Sequence, residues 1–127
     1  MGSKLWSTGI GATLFALMIG HPADAGEADV EAVSAYKLAD GSYHFSVTVK
    51  HEDKGWKHYA DRWEILAPDG SVLGTRVLLH PHETEQPFTR SLSSVQIPGG
   101  IPSVTVRAHD SVHGYGGKTK SVPLSGK

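Results

Sequence analysis

Tyr43-His44-Phe45-Ser46-Val47-Thr48-Val49-Lys50 runs for eight residues without glycine or proline. Tyr43, Phe45, Val47 and Val49 alternate with His44, Ser46, Thr48 and Lys50, so an extended chain here has one apolar and one polar face. Further along the chain, Trp63, Ile65 and Ala67 repeat the alternation, and Val104, Val106 and Ala108 repeat it again. Turn chemistry separates these runs. Ala39-Asp40-Gly41-Ser42 ends an opening strand over about residues 30–38. Pro68-Asp69-Gly70 closes a hairpin between residues 63–67 and 72–79, and Pro98-Gly99-Gly100-Ile101-Pro102 divides residues 88–97 from 104–109. A last strand over residues 119–124 completes seven. No stretch beyond residue 26 carries a helical period with caps, so the expected fold is all-β, a single seven-stranded antiparallel β-sandwich.

The segment before it has a different character. Lys4 is a weak positive start, residues 10–19 are an apolar run too short to span a bilayer, and Ala23-Asp24-Ala25 is a small-x-small cleavage site. Cleavage after Ala25 is expected, leaving residues 1–25 as a signal peptide and residues 26–127 as one domain of roughly 100 residues. The chain has no cysteine, and its two methionines, Met1 and Met18, both precede the cleavage site. An exported domain of this kind forgoes disulfides and lipid attachment through cysteine, so its stability rests on its apolar core. No second apolar stretch is long enough to cross a membrane, and no anchor is expected after cleavage. The formal net charge of −1 argues against a nucleic-acid binder built on phosphate contacts. The expected location is periplasmic or secreted.

The layout resembles immunoglobulin-like and fibronectin type III-like domains. The features that carry this are Trp63 in the third strand, the Pro-Asp-Gly hairpin after it, and an alternating sixth strand leading through a Gly-rich loop into the seventh. The resemblance covers nearly all of residues 26–127 and implies a fold without an activity. The immunoglobulin cysteine pair is absent, which makes the looser sandwich class the better comparison.

Histidines carry the chemistry. Of eight in the chain, seven follow residue 25, and six of those fall in three loops: His51 and His58, His80 and His82, His109 and His113. If strands alternate in direction, the loops after the second, fourth and sixth strands emerge at one end, and these are the histidine-bearing loops. The odd loops hold the Asp-Gly and Gly-Gly turns. Neutral imidazole suits Zn(II), Cu(II) and Ni(II), while the absence of cysteine and methionine from residues 26–127 disfavours Cu(I). His80 and His82 face the same way in an extended segment stiffened by Pro81, which makes them the expected metal-binding arm, with His109 and His113 opposite. Glu83 and Asp110 are candidates to complete the shell, Asp110 as ligand or as second-shell acceptor. His51 continues the inward parity of residues 43–49 and has an alternative role as a hydrogen-bonded histidine at the rim of the core. The bland reading of the whole set is surface or hydrogen-bonded histidines.

Trp56 and Tyr115 lie in the same loops and could form an aromatic platform for an envelope protein or a glycan. Catalysis lacks a motif: Ser111 beside Asp110 and His113 has the residue types of a triad without the spacing, and no phosphate loop, zinc-protease helix or dinucleotide fingerprint occurs. The expectation is a non-enzymatic exported sandwich that binds a divalent metal as carrier, buffer or accessory protein. The alternative is a metal-independent interaction module gripping its partner through the same loops.

Overall fold

A computed structural model describes residues 26–124, and the expected signal segment lies outside them. Seven strands follow one another: β1 (Asp29–Lys37), β2 (Tyr43–Lys50), β3 (Ala60–Leu66), β4 (Val72–Val77), β5 (Phe88–Val95), β6 (Ser103–Asp110) and β7 (Lys120–Pro123). They form two antiparallel sheets, of order β1-β2-β5 and β4-β3-β6-β7. The alternation in β2 is realised as read, with Tyr43, Phe45, Val47 and Val49 buried and the intervening residues partly exposed. Phe45, Val47, Val49, Val30 and Phe88 from the first sheet share one core with Trp63, Ile65, Val104, Val106 and Ala108 from the second. Each large side chain removed from water in this way contributes about 1.5–3 kcal/mol, the main favourable term for a domain without disulfides.

Three strand ends differ from expectation by more than one residue. β4 and β5 each stop two residues early, and β3 starts at Ala60 instead of Trp63. The early start of β3 has a local cause. Ala60 pairs with Asp110 in the β3–β6 ladder, and its N–H donates to the Asp53 carboxylate, so pairing begins where polar Asp61 and Arg62 hide it from an alternation count. The outer face of β3 is covered as well. Glu64 is buried there, accepting from Arg107 Nε at 2.9 Å, from Tyr115 Oη at 3.1 Å and from Arg62 Nε at 3.3 Å.

Loops after β2, β4 and β6 meet at one end of the sandwich. The His82 N–H donates to Asp53 at 2.6 Å, and the Ser111 N–H donates to the Tyr59 carbonyl at 2.9 Å. The segment entering β1 is bound to the same end. Lys118 N–H donates to Asp29 Oδ1 at 2.7 Å and the Val30 N–H donates to the Lys118 carbonyl at 2.8 Å. Gly117 permits this crossing, because any Cβ there would overlap the Ala28 carbonyl. Residues 26–28 are thereby held against the histidine loops.

Candidate metal centre

The inward parity of β2 runs one residue past its end and delivers His51 to the rim of the core, 3% exposed. Two residues on, buried Asp53 acts as a hub. Its Oδ1 accepts from His51 Nδ1 at 2.5 Å and from the Ala60 N–H at 3.1 Å, and its Oδ2 accepts from the His82 N–H. Gln86 staples the same two loops together, accepting from the His51 N–H at 2.9 Å and donating to the His82 carbonyl at 2.8 Å. The His51 ring is therefore fixed in orientation with Nε2 pointing away from Asp53.

Asp110 ends β6 and is fully buried. Its Oδ2 accepts from the N–H groups of Val112 at 2.9 Å and His113 at 2.5 Å, which anchors the carboxylate and leaves Oδ1 free of the backbone. His51 Nε2 touches that Oδ1, and His58 Nε2 reaches it at 2.8 Å. The same two nitrogens lie 3.1 and 3.2 Å from the carbonyl oxygen of Gly26. One ligand atom each from His51, His58 and Asp110 fall within 4.8 Å of one another. The His113 ring packs edge-on against His58, with centroids 5.1 Å apart, and abuts Gly26, where an added Cβ would overlap the imidazole.

Hydrogen-bond capacity exposes the chemistry. With Nδ1 of His51 donating to the Asp53 carboxylate, a neutral His51 must present a lone pair at Nε2. That lone pair faces Asp110 Oδ1 and the Gly26 carbonyl, both acceptors. Asp110 Oδ1 is buried and receives no hydrogen bond, although two imidazole nitrogens crowd it. A buried carboxylate oxygen left in this way is costly unless a cation joins it. A proton on His51, a proton on His58 Nε2 or a metal ion answers the need. Burial opposes charging His51, but the Asp53 hydrogen bond and the Asp110 and Asp53 charges outweigh it and hold its pKa above the ordinary value. For Asp53, burial works against the anion, and the bonds from His51, His82 and Ala60 more than offset this, so its pKa is lowered.

The other candidates are placed elsewhere. His80 is exposed, with Nδ1 at 3.0 Å from the Pro81 carbonyl. His82 is buried, its ring stacked on Phe88 at 4.0 Å, and burial, then the charges of Arg90 and His80, depress its pKa. The two rings are 4.7 Å apart, but His82 is turned into the core instead of standing with His80 as a free arm. His109 binds Asp61 at 2.7 Å and packs on Tyr115, so it does not oppose His113 across a site. Tyr115 lies over the Arg107 guanidinium at 3.7 Å with its hydroxyl between Arg62 and Glu64, which makes it a cap on the outer face of β3. Trp56 is 66% exposed and rests edge-on against Tyr59, separately engaged from Tyr115. Glu83 is exposed beside Gly55. Sequence reading missed Asp53 and Gly26. The signal for the first was its position two residues after His51, and for the second its adjacency to the expected cleavage site.

No family model and no solved structure matches the chain. A protein of Halomicrobium mukohataei named "Putative lipoprotein" is 43% identical over 99 residues, which make up 78% of this chain and 48% of that protein. The chain thus spans about half the length of this relative. Among the described residues, no helix is long and apolar enough to cross a membrane.

Proposed function

We propose that this domain is an exported binding protein for a divalent transition-metal ion, held by His51 Nε2, His58 Nε2 and Asp110 Oδ1, with the Gly26 carbonyl as a further oxygen donor. The observation that carries the reading is the buried Asp110 Oδ1, without a hydrogen bond and faced by two imidazole nitrogens. Asp53 fits the role of the outer carboxylate that fixes a ligating histidine and raises its basicity. The side chains of His51, Asp53 and Asp110 are fully buried, whereas the His58 side chain is 25% exposed and provides the way in for the ion. Two imidazoles with oxygen donors suit Zn(II), Cu(II) or Ni(II), and residues 26–127 offer no thiolate or thioether for Cu(I). The role is that of a carrier, buffer or accessory protein.

The leader-like first 25 residues and the lipoprotein name of the relative support an exported protein, periplasmic or secreted. The strand order supports the immunoglobulin-like or fibronectin type III-like reading of the sandwich. Calorimetric titration of the tag-free domain, residues 26–127, tests the metal reading. One ion per chain, lost in His51→Ala and in His58→Ala, is expected; absence of binding by all three metals refutes it. The exposed Trp56 indole favours one other reading, a metal-independent grip on an envelope protein or glycan. That reading requires a partner retained in the presence of chelator and lost in Trp56→Ala.

A further inference from the structure

The Gly26 carbonyl oxygen is 3.1 Å from His51 Nε2 and 3.2 Å from His58 Nε2, and Gly26 is the residue that follows the small-x-small sequence Ala23-Asp24-Ala25. We propose that removal of the leader at the Ala25–Gly26 bond completes the metal site, by converting the Gly26 amide nitrogen into an α-amine that chelates the ion together with its own carbonyl oxygen. The inference rests on the metal reading of His51, His58 and Asp110.

The chemistry is a hydrolysis carried out by a leader-cleaving protease. Water adds across the Ala25–Gly26 peptide bond, leaving a carboxylate on Ala25 and an amine on Gly26. Before cleavage, the Gly26 nitrogen lone pair is delocalised into the Ala25 carbonyl and is a poor ligand. After cleavage it is a localised lone pair two carbons from a carbonyl oxygen that already faces both imidazole nitrogens. An amine and carbonyl oxygen of one residue close a five-membered ring on a cation, so the second donor binds with little further loss of freedom.

Three features hold Gly26 in position for this. The pairing of Asp29 and Val30 with Lys118 fixes the following segment, and the close crossing at Gly117 sets its distance from the β6–β7 loop. The His113 ring abuts Gly26 so closely that only glycine fits without displacing it. Asp110 Oδ1, buried and lacking a hydrogen bond, independently marks the same point as a cation position. The consequence is timing: a precursor carrying its leader has a weaker site, and full affinity appears only in the processed chain. Metal loading would thus follow export.

The test compares three forms of the chain with Cu(II) and Zn(II): residues 26–127 with a free Gly26 amine, the same chain acetylated at that amine, and a chain that keeps Ala23-Asp24-Ala25. Loss of an outer partner of a metal ligand typically weakens binding about 10–100-fold, so loss of a direct donor is expected to cost at least about tenfold in affinity. Electron paramagnetic resonance of the Cu(II) forms should show one fewer nitrogen donor in the acetylated and extended chains. Equal affinity and equal spectra in all three overturn the inference while leaving the His51, His58 and Asp110 site standing. Failure of all three to bind overturns the metal reading itself.

Discussion

Asp53→Asn separates the two tasks that the Asp53 carboxylate performs. The aspartate accepts three hydrogen bonds in a buried setting, from His51 Nδ1, the Ala60 N–H and the His82 N–H. Asparagine has nearly the same shape but only one acceptor oxygen, and its NH₂ must face at least one of those donors. Loss of the charge-assisted bond to His51 costs about 1.5–3 kcal/mol, and a buried N–H left without an acceptor costs about 1–3 kcal/mol. A loss of about 2.5–6 kcal/mol in the metal-free domain follows, bracketing the usual result of removing one partner of a buried ion pair. With a total stability of about 5–15 kcal/mol, such a domain is weakened and stays folded unless it starts near the lower bound. The His51 ring also loses the bond that orients it, so metal affinity should fall about 10–100-fold. Urea unfolding without metal reads the first effect, and titration with Zn(II) under folded conditions reads the second. Destabilisation with unchanged metal affinity would refute the orienting role and reduce Asp53 to a staple between loops; no change in either would refute the hub altogether.

Other expectations follow from the same geometry. In the metal-free domain, His51 has a pKa raised above 6.5, so its contribution to stability is complete below 6.5 and is lost as pH rises through the folded value. Asp53 has a pKa lowered below 3.8, so its contribution is present above 3.8 and is lost as pH falls through the folded value. Urea midpoints measured across this range should therefore peak between these two limits, and a saturating metal should remove the alkaline decline; an alkaline limb that is flat without metal contradicts the imidazolium assignment. Gly117→Ala forces a Cβ into the Ala28 carbonyl and should lower both stability, by about 1–3 kcal/mol, and metal affinity, because it displaces the segment bearing Gly26. His80→Ala removes an exposed side chain and should leave stability within about 0.5 kcal/mol and metal affinity unchanged; a large drop in affinity would return the site to the His-Pro-His segment.

Strand alternation was legible because burial in a sandwich repeats every two residues, and the period survives in residues 43–50 and 103–110 almost unbroken. Even the placement of the histidine loops at one end follows from strand parity alone. Which histidines converge does not. His51 is inward by the parity of β2, but the meaning of that position depends on Asp110, which lies 59 residues away in sequence and is brought beside it by the packing of two different sheets. His80 and His82 looked like an arm because a two-residue spacing points both rings one way; the hydrogen bond from the His82 N–H to Asp53 and the stacking on Phe88 turn one of them inward instead. Tyr115 looked like part of a platform because it shares the histidine-bearing loops with Trp56. Its hydroxyl is instead needed by Glu64 and Arg62 on a face that alternation had marked simply as polar. The Gly-rich β6–β7 loop was visible in the sequence, but not that Gly116 and Gly117 would pass against residues 27 and 28 of the same chain.

The most direct measurement is an anomalous-scattering map from crystals of residues 26–127 grown with one equivalent of Zn(II). A single peak is expected about 2.0–2.1 Å from the Nε2 atoms of His51 and His58 and about 2.0–2.2 Å from Asp110 Oδ1. A peak at His80 and His82, or none at all while His51 sits as an imidazolium between Asp53 and Asp110, would contradict it.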